Sequence, residues 1–228
     1  MQESVPTLAS VRIYDLRALQ ADPPPKTKQV RGKVVRRNPR TITGIVLHQT
    51  AVEFGVSRAQ LKRADGDREL ARAHRGLNVA CHAMAFRGGF VAITNHPSIY
   101  VWQANKLNAT TVGIEVEGLY PGLESSVKAT TWSGRSPTAR EEQTLNAAKV
   151  AVRELLRVCT DVGCNIDRIY AHRQSSGTRR NDPGEWLWKE VVLGYATTEL
   201  GLRVENDFTI DNGRPIPAQW DACAKAPY

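Results

Sequence analysis

Two histidines close short apolar runs: His48 follows Ile45-Val46-Leu47, and His172 follows Ile169-Tyr170-Ala171. Asp182 lies further along, directly ahead of Pro183. Two imidazole nitrogens and a carboxylate oxygen form an N,N,O donor set for a divalent ion. With its fourth position open, such a set is that of a hydrolytic zinc, because the open position admits a water whose pKa the metal pulls toward neutrality. Ligands of this kind must be held before the ion arrives, and strand ends and a proline-stiffened turn can hold them. Taken singly, a strand-end histidine is more often a hydrogen-bonded structural group than a ligand, so the reading rests on all three together.

The elements needed to position them are visible as apolar periodicity. Thr43 to Leu47 is a buried strand delivering His48 at its C-terminal edge, and Ile166 to Ala171 does the same for His172. Ala80 to Phe86 and Phe90 to Thr94 read as a hairpin turning through Arg87-Gly88-Gly89. Val112 to Gly118 alternates, putting Glu115 and Glu117 on one face and Ile114 and Val116 on the other. Val11 to Leu16 permits one more strand.

Helices are expected from Ser57 to His74, broken at Asp65-Gly66-Asp67, and from Trp186 to Val192. The strongest helical pattern runs from Thr138 to about Cys159. Thr138 and Glu141 match a capping box there, and Leu145, Ala148, Val152, Leu155, Leu156 and Cys159 recur at helical spacing. Alternating strands and helices with one hairpin predict an α/β fold, a central mixed β-sheet flanked by helices.

With 228 residues, 41% hydrophobic and 24% charged, the chain is expected to form one domain with extensions. The divisions are 1–37, a basic proline-containing N-terminal extension; 38–195, the catalytic domain; and 196–228, a C-terminal extension. A net charge of +8 favours anionic partners. The densest basic run, Lys26 to Arg40, lacks the interleaved aromatics of single-strand binders and reads as a solvated arm, so no specific nucleic-acid partner is expected. Residues 1–17 carry no export pattern, and no apolar run approaches a membrane span. The expectation is a chain made in the cytoplasm without membrane insertion, reaching any extracellular target by another route. Cys81, Cys159, Cys164 and Cys223 are too irregularly spaced for a disulfide framework and read as buried or idle thiols.

Three blocks in order carry a family resemblance: Ile45-Val46-Leu47-His48-Gln49-Thr50-Ala51, Val112 to Gly118, and His172 to Gly184. Over roughly residues 40 to 195 the chain resembles the zinc-dependent N-acetylmuramoyl-L-alanine amidases, whose fold is shared with peptidoglycan recognition proteins and phage lysins. The resemblance implies Zn2+ as cofactor, with His48, His172 and Asp182 as its ligands. Glu115 falls where the family places the acid that takes a proton from the attacking water. Arg180, two before Asp182, falls where a lysine usually stabilises the oxyanion; arginine keeps the charge with a bulkier planar head. Glu117, on the same face, is the structural alternative to Glu115. His82 matches a family histidine and reads as a buried or supporting group, because a fourth protein ligand would close the water position.

Two further segments depart from the family pattern. Trp102-Gln103-Ala104-Asn105 replaces Trp-His-Ala-Gly, leaving Gln103 for a histidine that would contact substrate, and Arg87-Gly88-Gly89 replaces Arg-Asp-Gly. The implied function is hydrolysis of the amide between N-acetylmuramic acid and L-alanine in bacterial peptidoglycan, as a phage-type lysin. The alternatives are a non-catalytic peptidoglycan-binding module and a cytosolic wall-recycling amidase.

Overall fold

The computed structural model describes residues 8–120 and 139–220. Its centre is a six-stranded mixed sheet, with strands β1 (Arg12–Asp15), β4 (Gly44–Gln49), β5 (Ala83–Phe86), β6 (Phe90–Ile93), β7 (Thr111–Val116) and β8 (Arg168–Ala171) in the order β1-β6-β5-β7-β4-β8. β2 (Gln29–Val30) and β3 (Lys33–Val34) form a separate two-stranded ribbon. Within the large sheet the β5/β6 hairpin is antiparallel and the other ladders are parallel. Gly88 and Gly89 close the hairpin at φ of 106° and 87°, which the sequence signalled with its glycine pair.

Strand parity sorts the side chains onto two faces. Ile45 and Leu47 of β4, Val112, Ile114 and Val116 of β7, and Ile169 and Ala171 of β8 pack in one cluster with Ala148, Val152, Leu155 and Cys159 of helix α3 (Ala139–Asp161). Their alternates, Val46 and Tyr170, pack on the opposite face against Ala104 and Leu107. His48, Glu115 and His172 are in phase with that second set. Both faces are covered, so β4 is buried along its length and reads as a continuous apolar run.

The break at Asp65-Gly66-Asp67 separates helices α1 (Arg58–Arg63) and α2 (Arg68–Ala73), capped by the side chains of Ser57 and Asp67. Gly163, at φ of 83°, follows the end of α3, while Thr138 lies outside the described residues. The short helix α4 (Glu185–Leu187) continues into a π-helical stretch, Trp188–Ala196. Among the described residues no helix is long and apolar enough to cross a membrane.

The N-terminal segment is more than a solvated arm. β1 adds an edge strand parallel to β6, and Arg37 turns inward. Its guanidinium donates to the carbonyls of Asn108, Thr111, Pro97 and Ile99. Burial holds its pKa down to about 10, still far above neutrality. This single side chain ties the segment to the loops beneath β7. The sequence pattern missed it because a basic run has no period that marks one member as buried.

Candidate metal centre

β4 and β8 are parallel neighbours, in register through Leu47 opposite Ala171, so both histidines emerge at the same sheet edge. His48 Nδ1 lies 3.0 Å from His172 Nδ1, and His172 Nδ1 lies 2.9 Å from Asp182 Oδ2. The third edge, His48 Nδ1 to Asp182 Oδ2, is 3.7 Å. Donors about 2.0–2.1 Å from a tetrahedral ion sit roughly 3.3–3.4 Å apart, a spacing these edges bracket. All three residues are buried, and they form the one cluster of candidate metal-ligating groups among the described residues. The donor set fits a zinc ion: two imidazole lone pairs and a carboxylate oxygen converge where a cation would relieve their mutual repulsion.

The surroundings hold these groups in place. Asp182 receives the Gln49 amide on Oδ1 at 2.8 Å, which leaves Oδ2 toward the histidines. The Gln49 side chain reaches the carbonyls of Asn181 and Tyr120, tying the end of β4 to the Asp182 turn. Gln174 accepts from the Ala171 amide at 3.0 Å and closes the turn that begins at His172. The C-terminal segment grips the same turn from outside: Ile210 N donates to Gln174 O at 2.9 Å, and Arg214 N donates to Arg173 O at 2.7 Å. The Arg173 guanidinium donates to Pro215 O and lies over the Trp220 ring. Gly213 packs so closely that a Cβ there would come within 1.9 Å of Gln174 O.

Titration follows from burial and from the shared carboxylate. Burial works to raise the Asp182 pKa, but hydrogen bonds to His172 and His48 hold it well below the usual carboxylate range. Burial and the neighbouring His48 lower the His172 pKa. For His48 burial opposes the charged form, and Asp182 overrides it, so its pKa is raised.

Glu115 pairs with His48 in the β4/β7 register. The residue is partly exposed, yet its Oε2 is fully buried and has no hydrogen-bond partner. Burial pushes its pKa up to about 7; His48 and Arg179 pull it down, and Asp182 adds to the rise. A carboxyl poised near neutrality beside a donor cluster can act as a general base or acid. Glu117, its structural alternative, is occupied: it follows β7, pairs with Arg72, and accepts from the amides of Phe54 and Arg87.

A cleft of about 640 Å³ opens beside His172, lined among others by Trp102, Lys106, Thr178 and Arg179. Arg180 is exposed, and its carbonyl accepts from Arg173. Arg180 is not among the cleft-lining residues; the cations that line the cleft are Lys106, paired with Asp211, and Arg179, itself exposed. Gln103, the hydrogen-bonding residue that stands where the family pattern has a histidine, also borders the cleft and is buried, with Oε1 2.6 Å from His48 Nε2. His82 is a structural group: Nδ1 accepts from the Gly113 amide at 3.0 Å, and Nε2 lies 3.1 Å from Ile99 O.

Comparison with known proteins gives one family and a set of distant structures. Residues 38–185 match the family described as N-acetylmuramoyl-L-alanine amidase. Among solved structures the chain is similar to Drosophila PGRP-LB, at 17% identity over 87% of this chain and 99% of that one, with a TM-score of 0.48. It is also similar to the amidase LysC from Clostridium intestinale, at 13% identity over 85% and 100% of the two chains, TM-score 0.45. A third is the Ph2119 endolysin from a Thermus scotoductus bacteriophage, at 15% identity over 78% and 98%, TM-score 0.44. No curated protein matches the chain significantly.

Proposed function

Because this chain belongs to the N-acetylmuramoyl-L-alanine amidase family, we propose that it hydrolyses the amide between the lactyl group of N-acetylmuramic acid and L-alanine. The observation that carries the reading is the convergence of His48 Nδ1, His172 Nδ1 and Asp182 Oδ2 beside an orphan carboxylate oxygen of Glu115. These three residues would hold a zinc ion. Such an ion supplies Lewis acidity, polarising the scissile carbonyl and lowering the pKa of an attacking water.

Glu115 takes a proton from that water as its oxygen bonds to the carbonyl carbon. The same carboxyl then delivers the proton to the alanine nitrogen as the C–N bond breaks, which balances the hydrolysis. A pKa near neutrality suits a group that must both accept and release a proton. Arg179 steadies the oxyanion by its charge. Family position points to Arg180 for that role; the place of Arg179 among the cleft-lining residues supports Arg179 instead.

The substrate is intact wall, in the manner of a phage-type lysin. The net charge of +8 supports this, because it attracts an extended anionic polymer more than it helps capture small soluble fragments. Turnover on intact sacculi is expected to exceed turnover on soluble anhydro-muropeptides, and the reverse preference would indicate wall recycling. Mass spectrometry of digested peptidoglycan tests the bond. The expected products are stem peptides with a free L-alanine amine, the glycan remaining uncut, and a chelator should abolish release of the stem peptides. New reducing ends, or wall binding without release, would overturn the assignment.

A further inference from the structure

The segment between β6 and β7 holds a hydrogen-bond chain whose polarity can be read from one end. Thr111 Oγ1 lies 2.7 Å from the Leu107 carbonyl. A carbonyl only accepts, so the hydroxyl spends its single proton there and can only accept from elsewhere. The Gln103 amide atom 2.9 Å from Thr111 Oγ1 must therefore be the donor, Nε2. That orientation turns Oε1 toward His48 Nε2, 2.6 Å away. An oxygen facing an imidazole nitrogen requires a proton on that nitrogen, so His48 carries a hydrogen on Nε2, and its neutral form is the tautomer with Nδ1 bare.

Nδ1 is the atom that meets His172 and Asp182. From this chain we infer that Gln103 is a positioning residue that imposes on His48 the tautomer able to donate its Nδ1 lone pair to a metal ion. The consequence for metal rests on the proposed function above; the tautomer itself does not.

Two features show that Gln103 is built into place. Its backbone amide and that of Ala104 both donate to Asn108 Oδ1, at 2.9 and 2.6 Å, which fixes the turn carrying it. Its side chain lies flat over Gly113 of β7, where a Cβ would come within 2.2 Å of Gln103 Oε1. Any other residue at 113 would push the amide off His48. Ligating histidines generally rely on a partner at the distal nitrogen to fix ring and tautomer, and losing it typically costs 10- to 100-fold in metal affinity.

The test is long-range 1H–15N correlation NMR on histidine-labelled, metal-free protein at about pH 8.5, combined with zinc titration. The wild-type chain is expected to show His48 in the Nε2–H form. Gln103→Leu removes the acceptor at similar volume; it is expected to give a mixture of tautomers and weaken zinc binding 10- to 100-fold. Gln103→Glu keeps an acceptor and is expected to retain the Nε2–H form. Wild-type protein with the proton on Nδ1 would overturn the proposal, whether or not either variant folds. So would Gln103→Leu with an unchanged tautomer and unchanged affinity. Wild-type protein in the Nε2–H form that takes up no zinc would support the tautomer assignment and overturn the metal reading instead.

Discussion

Replacing Glu115 by glutamine should stabilise the metal-free protein while removing its activity. The glutamate carboxyl is raised from an ordinary 4.5 to about 7 because burial disfavours its charge and Oε2 finds no donor. That rise corresponds to about 3 kcal/mol favouring the protonated form. With the folded pKa above the unfolded one, the folded chain keeps a proton between pH 4.5 and 7 that the unfolded chain has released. Stability therefore falls as pH rises through that window, and the deficit is complete above it. Glutamine mimics the protonated acid at every pH. In urea unfolding with a chelator present, Glu115→Gln and wild type should be nearly equal at pH 4. By pH 8 the variant should be the more stable by up to about 3 kcal/mol. Peptidoglycan hydrolysis by the zinc-loaded variant should fall on the order of 10²–10⁴-fold with zinc content unchanged. A stability difference that does not grow with pH would refute the account of this carboxyl. Wild-type turnover in the variant would remove it from the chemistry.

Two further substitutions probe the frame around the site. Gly213→Ala drives a Cβ into the backbone of Gln174 and Ser175, where no side chain can swing aside. It should cost about 1–3 kcal/mol in unfolding free energy and weaken zinc binding by shifting the His172 turn, and a neutral result in both assays would show that the C-terminal segment does not position that turn. Arg179→Ala should lower kcat on the order of 10²-fold with little change in zinc content. Arg180→Ala should be near wild type, and the opposite ranking would return the oxyanion role to Arg180.

Much of this arrangement was legible because the responsible forces are local and periodic. Strands buried on both faces appear as unbroken apolar runs, and a glycine pair between two of them marks the hairpin. The parity placing Ile114 and Val116 against α3 necessarily turns Glu115 the other way. The same parity argument put Glu117 beside Glu115, but Glu117 lies past the last residue of β7 and is held by Arg72. What escaped notice depends on contacts between distant segments. Nothing in the composition of residues 26–40 distinguishes Arg37 from its exposed neighbours. The segment from Glu205 to Ile216 is held largely through backbone hydrogen bonds, which leave no side-chain signature. The link from Gln103 to His48 and Thr111 could not be read because these partners meet it only once the sheet has formed. Arg179 and Arg180 sit in a turn, where no repeat indicates which borders the cleft.

The most direct test of the central claim is the metal content of purified protein after equilibration with zinc and dialysis, in the wild type and in His48→Ala, His172→Ala and Asp182→Asn. One tightly held zinc per wild-type chain, lost in each of the three variants while each remains folded, is the result this account predicts. A wild-type chain that retains no zinc, or variants that keep a full equivalent, would contradict it.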